Sequence, residues 1–296
     1  MSQPRLPQGV GRTALVTAYA RAQETRRADR LFTDDLALRF VEAVTGPIED
    51  GAPLPPLGPA REDHLSPLWR SLQTYFAVRT LFYDRFVLTS VEEGAEQVVI
   101  VAAGLDSRAF RLPLPAEMPV YEIDRAEVLC FKQSILDGLG VESVTRRTPV
   151  ATDLLGDWRT PLLGTGFDPT RPTAWIAEGL MMYLPPEAQG ELLDTVAGLS
   201  AAGSTLATES FNRTPRITDA VDHPSAEEEA LTDALVGHFR AAPITDPVAW
   251  LENHGFVGRA ADLADEIQTA RRPAVPLFQP GRPDPLTMWL IEGHIA

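Results

Sequence analysis

QVVIVAAGLDSRAFRL, residues 97–112, runs an apolar strand into a glycine turn and then toward a helix. A buried parallel strand reads as a continuous apolar run, here 98–103, and Gly104 falls where the backbone must turn sharply and pass close to a ligand. Residues 105–112 then open a helix whose free N–H groups face the same crevice. Farther on, PVYEID (119–124) forms a second short strand ending in acids about 20 residues beyond Gly104, the interval at which nucleotide folds hold a ribose diol. Side-chain alternation puts Glu122 and Asp124 on the same side of that strand and leaves either able to accept from the two hydroxyls.

A dinucleotide fingerprint reads G-x-G-x-x-G, whereas Gly104 is followed by Leu105, Asp106 and Ser107. That spacing has no pyrophosphate signature, so a nicotinamide or flavin oxidoreductase is disfavoured. The pattern suits a ligand with a ribose and no phosphate, such as S-adenosylmethionine. Its adenosine needs the acidic strand end, its aminocarboxylate needs donors at the glycine turn, and its sulfonium tolerates aromatic and acidic neighbours.

Five further segments support that reading: TYFAVRTLFYDRFV (74–87), VVIVAAGLDSRAFRL (98–112), VYEIDRAEVLCFKQ (120–133), ATDLL (151–155) and AEGLMMYLP (177–185). Together with ARAQETRRADRLFTDDLALRF (20–40), they resemble the leucine carboxyl methyltransferase family, and more closely its bacterial small-molecule branch. The likeness runs from about residue 10 to about residue 210 in the family's own order. It implies a class I methyltransferase fold: an α/β, Rossmann-like, seven-stranded and mostly parallel sheet with an N-terminal helical cap. It also implies S-adenosylmethionine as methyl donor and a carboxylate, or in some members another oxygen, as acceptor.

The resemblance assigns roles residue by residue. It places Asp124, rather than Glu122, on the ribose, and Ala103 and Gly104 beside the donor. Asp153 falls where the family sets an acid against the adenine amino group, with Leu154 supplying the next amide; a helix N-cap over 154–158 is the alternative. The family's YFAxR pattern aims Arg79 at the cofactor carboxylate, where a guanidinium can bind both oxygens. Its alternative is a surface pair with Asp84. Arg21 supports from the other side of the cap. Glu178, a charged residue directly after an apolar strand, can neutralise the cofactor ammonium. Tyr183 and Tyr75 are the expected catalytic, acceptor-facing residues, although an aromatic at helical spacing also serves as core.

At 296 residues, 44% of them hydrophobic, the chain can bury a large core. Its net charge of −15, from 26 basic and 41 acidic residues, argues against nucleic acid as a partner. Cys130 is the only cysteine, which excludes an internal disulfide and a cysteine metal cluster, and no metal is expected. The opening MSQPRLPQGVGRT lacks a signal-peptide core and no run is long enough to span a bilayer, so a cytoplasmic protein is expected, with no membrane partner. A homodimer is compatible with the sequence.

Periodicity predicts helices at 13–28, 34–44 and 71–90, with a Pro/Gly-rich loop at 46–59. Strands are expected at 98–102, 120–123, 144–150, 174–177 and 205–209, and a closing antiparallel hairpin from 256–260 and 287–292. The expected division is a cap over 1–94 and a cofactor-binding domain over 95–296, with a polar insertion after the fifth strand, about 211–247, as lid or acceptor wall. Methyl transfer to a carboxylate needs alignment and exclusion of water but no proton removal. The expected activity is therefore carboxyl methylation of a small molecule or secondary metabolite. A phenol or alcohol acceptor would need a base, for which His223, His238 and His254 are candidates. A non-catalytic, cofactor-binding version of the fold is a third reading.

Overall fold

The computed structural model describes residues 10–46 and 66–295. The expected loop at 46–59 and the opening segment therefore fall largely outside the described residues. Three helices come first, α1 (Val10–Thr25), α2 (Asp35–Thr45) and α3 (Pro67–Glu92). There follow β1 (Gln97–Val101), α4 (Arg108–Arg111), β2 (Pro119–Asp124), α5 (Ala126–Leu139), β3 (Arg146–Ala151), α6 (Arg159–Leu163) and β4 (Thr173–Ala177). The chain ends with α7 (Pro186–Gly198), β5 (Thr205–Phe211), α8 (Ala226–Val236), α9 (Pro247–Glu252), β6 (Val257–Asp262), α10 (Leu263–Thr269) and β7 (Met288–His294).

The strands form one seven-stranded sheet in the order β3-β2-β1-β4-β5-β7-β6, parallel except for β7, which runs antiparallel to both its neighbours. This is an α/β class I methyltransferase sheet. β1 and β4 are buried at every residue and β2 at Val120–Ile123, as central parallel strands covered on both faces must be. The order reverses between β1 and β4, so their carboxyl ends open a crevice where ligands of such sheets bind.

Several boundaries differ from the sequence reading for local reasons. The run 105–112 makes only a one-turn helix, and its first amide, Arg108 N–H, donates to Asp106 Oδ1 at 2.7 Å instead of facing the crevice free. β3 starts at Arg146, because Ser143 Oγ and the Val144 amide are tied to the Ala109 carbonyl. β6 and β7 pair antiparallel but are not a tight hairpin; α10 and the 3-10 turn Pro276–Phe278 lie between them. α3 is longer than predicted because Ser66 caps it, accepting from Trp69 N–H, with Pro67 in the first turn.

α3 is also buried on more than one face. Leu72, Tyr75, Phe76 and Val78 are covered as expected and Leu81 and Phe82 partly so, but Arg79 and Asp84 lie inside too. Among the described residues no helix is long and apolar enough to cross a membrane.

Glu122 belongs to this scaffold. It is fully buried on β2, where Lys132 Nζ of α5 donates to its Oε2 at 2.7 Å and Arg147 Nη2 of β3 lies 2.9 Å away. Burial pushes the Lys132 ammonium pKa down, since a charge without water is held only by its partner. Lys132→Ala should therefore cost about 3–5 kcal/mol, the penalty for leaving a buried carboxylate short of its cation. Urea unfolding measures it, and a loss below about 1 kcal/mol would show that Arg147 suffices alone.

Candidate active site

The floor of the crevice is made by strand ends. Just beyond β1 the backbone turns left-handed twice, at Ala102 (φ 54°) and Gly104 (φ 50°). Glycine takes this conformation freely, whereas alanine there costs on the order of 1 kcal/mol. The kink lets Gly104 N–H donate to Asp124 Oδ2 at 2.7 Å, while Arg125 N–H donates to Oδ1 at 2.7 Å and Ala103 N–H to the Ile123 carbonyl at 2.9 Å. A carboxylate offers about four lone-pair sites, so Asp124 keeps capacity for two more donors such as a diol. Burial pushes its carboxyl pKa up, and the two amides only partly oppose that.

Beyond β3, Asp153 is exposed and accepts from Leu155 N–H at 3.0 Å within a turn. The alternative N-cap reading is therefore not met, because no helix starts at 154 and α6 begins only at Arg159. Leu154 is half-buried beside it.

Glu178 follows β4 and is gripped by two arginines. Arg79 Nε donates to Oε1 at 3.0 Å and Arg108 Nη1 lies 2.7 Å from Oε2. Burial opposes its charge, but Arg108 and Arg79 outweigh burial and hold the carboxyl below the usual glutamate range. Arg79 Nη1 also donates to Tyr75 Oη at 2.7 Å and to Glu209 Oε1 at 3.1 Å. The alternative Arg79–Asp84 surface pair is thus replaced: Arg79 is buried, and Asp84 is taken by Arg108 Nε at 2.8 Å and Arg111 Nη1 at 2.6 Å. An Asp five residues on faces a different side of the helix, which is why the two part.

Glu209, fully buried on β5, is the hub that the sequence reading missed. It accepts from Tyr83 Oη, from Gly179 N–H at 2.8 Å and from Arg79. Burial pushes its carboxyl pKa up despite Arg79. The available signal was an acid inside the otherwise apolar and hydroxylated strand TLATESF, and Arg108 of the turn after Gly104 was a second.

Arg21 is buried on α1. Its Nη2 donates to the Leu105 carbonyl at 2.6 Å, while its Nε lies 3.2 Å from Asp34 Oδ2 without an aligned hydrogen bond.

These groups surround a cavity of about 510 Å³, within the size range of small-molecule sites. All ten predicted residues line it: Arg21, Tyr75, Arg79, Ala103, Gly104, Asp124, Asp153, Leu154, Glu178 and Tyr183. Much of the rest of the lining is apolar, with Leu72, Phe76, Met182, Phe211, Phe239 and Phe278 on the walls. Tyr183 packs edge-on against Phe239 at 5.1 Å and donates to the Leu235 carbonyl at 3.3 Å; burial pushes its pKa up to about 12. Tyr75 contributes its ring, but its hydroxyl is engaged by Arg79 and, at 3.4 Å, Glu209. None of His223, His238 and His254 lines the cavity, and His254 pairs instead with Asp194 at 2.6 Å.

The sequence pattern of the leucine carboxyl methyltransferase family matches residues 14–197. A protein of Parafrankia named "putative S-adenosyl-L-methionine-dependent methyltransferase" is 42% identical over 267 residues, covering 90% of this chain and 82% of that one. One of the same name from Mycolicibacterium smegmatis is 40% identical over 286 residues, covering 91% and 88%. In fold, the chain is similar to a DUF574 family protein from Streptomyces avermitilis, with a TM-score of 0.55 at 14% identity over 96% of this chain and 97% of that one.

The grip on Arg79 depends on Gly179, whose φ is 65° and where a Cβ would meet Arg79 Nη1 at 3.5 Å. That distance is ordinary contact, so Gly179→Ala should fold and lose about 1 kcal/mol through backbone strain alone. Denaturant titration reads the loss, and a much larger one would mean that Arg79 is displaced as well.

Proposed function

Because this chain belongs to the leucine carboxyl methyltransferase family and is an S-adenosylmethionine-dependent methyltransferase, we propose that it transfers the methyl group to a carboxylate of a small molecule. The observation that carries this is the state of the titratable groups that line the cavity. Tyr183 is neutral far above physiological pH, burial pushes the Tyr75 hydroxyl well up too, and the described lining includes no histidine. Glu178 and Asp106 are held low in pKa by arginines, although burial opposes this in both. Such groups are poor at taking a proton from a phenol or alcohol, which favours an acceptor that is already ionised.

The residues fit the cofactor. Asp124 has two lone-pair sites to spare for a ribose diol and is held in place by the Gly104 and Arg125 amides. Asp153 and Leu154 border the side where an adenine ring would lie. Arg79 and Glu178, already paired, present an opposite-charge couple suited to a zwitterion, and Arg21 lines the cavity as a further cation for its carboxylate. When bound, S-adenosylmethionine supplies a methyl group activated by a positively charged sulfur. The chain's own work is to align the acceptor oxygen and keep water out. In this reading Tyr183 orients the acceptor, Tyr75 acts by holding Arg79, residues 1–94 form a cap, and 211–247 form the acceptor wall of the 95–296 domain.

The decisive experiment incubates the protein with methyl-labelled S-adenosylmethionine and an extract of its source cells. Label released by mild alkali marks an ester and supports carboxyl methylation. An alkali-stable product marks an ether and would overturn it. For the cofactor, Asp124→Ala should weaken S-adenosylhomocysteine binding by about 1–3 kcal/mol in calorimetry. Because the folded-state pKa of Asp124 is raised, the ionised form that accepts from the diol disappears as pH falls into a window above the ordinary aspartate range. Affinity should drop across that window, and Asp124→Asn should flatten the drop.

A further inference from the structure

The charges lining the cavity are unevenly placed: its acids gather at the strand ends, with Arg21, Arg79 and Arg125 among them. Every acid on its wall, namely Asp106, Asp124, Asp153 and Glu178, comes from the end of β1, β2, β3 or β4. The opposite wall, from the start of α3, the segment after β5 and the turn before β7, carries Arg216 and Arg240 and, among the described residues, no acid. In a chain of net charge −15 such a wall is not a sample of the average surface. A long-range negative field repels anions, so a local cationic pair in an apolar chamber selects for them at close range.

The two arginines differ. Arg216 is answered by Asp284 at 3.0 Å, whereas the exposed Arg240 side chain has no hydrogen-bond or ion-pair partner among the described residues. Its backbone is nonetheless fixed: the Arg240 and Ala241 amides donate to the Met182 carbonyl at 2.9 and 3.3 Å. Met182 sits in the 3-10 turn Met181–Tyr183, three residues beyond Gly179. A guanidinium without a partner among the described residues is thus carried on the cavity lining, next in sequence to Phe239, whose ring packs edge-on against Tyr183.

Resting on the proposed carboxyl methylation, we infer that the acceptor has an apolar body, offers a carboxylate to the donor, and carries a second anionic group that Arg240 binds. The apolar wall recognises the body, and Arg240 is the specificity-determining residue for the remote charge. A carboxylate or a phosphate could supply that charge, and a guanidinium fork binds either through paired N–H donors. The product would be a half-ester that keeps one anionic end.

Binding tests this apart from methyl transfer. Calorimetry on the protein saturated with S-adenosylhomocysteine compares decanedioate with decanoate, probes of equal chain length that differ by one anionic end, and decyl phosphate ending in a carboxylate serves as the phosphate arm. The wild type should bind the dianions roughly tenfold more tightly than decanoate, the worth of one charge-assisted hydrogen-bonded pair. Arg240→Gln should abolish that preference, leave decanoate affinity and the unfolding midpoint unchanged, and remove the salt dependence of the preference. Arg216→Gln should have the smaller effect, because Asp284 already occupies it. Equal wild-type affinity for mono- and dianion, a preference that survives Arg240→Gln, or no binding by any probe would each overturn the inference. A dianion preference that is lost in Arg240→Gln, alongside an alkali-stable labelled product from the cell extract, would uphold the binding role while refuting carboxyl methylation.

Discussion

Arg79, in the middle of α3, is bonded at once to Glu178 beyond β4, to Glu209 on β5 and to Tyr75 one helical turn away. Arg108 extends the cluster from Glu178 to Asp106 and Asp84. Buried charges gain little net stability over apolar packing, but removing one partner is costly, so such a cluster dictates position more than it adds energy. Here it dictates where α3 sits against β1, β4 and β5. The cavity exists because α3 is held there by charge, leaving its apolar first turns to form a wall.

That arrangement explains the electrostatics of the site. Carboxylates clustered at strand ends would repel one another and resist ionisation in a dry crevice, yet Glu178 and Asp106 stay ionised because arginines reach them. Asp124 and Glu209 go the other way, and burial dominates both. One small region therefore contains strongly ionised acids beside acids that protonate more readily, and the difference follows arginine contact.

Much of this was legible in the residues. The apolar runs of β1 and β4 and the spacing from Gly104 to Asp124 foretold the sheet and its ligand-facing end, because buried parallel strands tolerate few other patterns. All ten chosen site residues meet at one cavity. Three features were hidden for physical reasons. Glu209 occupies a strand interior, where a carboxylate is unexpected unless partners from distant segments satisfy it, and those partners are 126 to 134 residues away. Ala102 adopts a left-handed backbone usually signalled by glycine. Local spacing offered Asp84 to Arg79, whereas long-range packing gave Arg79 two glutamates and Asp84 two other arginines. The Glu122 and Asp124 ambiguity could not be resolved by alternation, since both point the same way; the buried cation of α5 separates them by claiming only the first.

The carbonyl of Met182 receives two amides from the strap that walls the chamber, and the same 3-10 turn is only three residues from the glycine whose N–H holds Glu209. A displacement of the strap must either break those two bonds or pull the turn with it. The cavity wall at residues 240–241 and the buried Glu209 are consequently tied through one short turn, so that the position of each constrains the other.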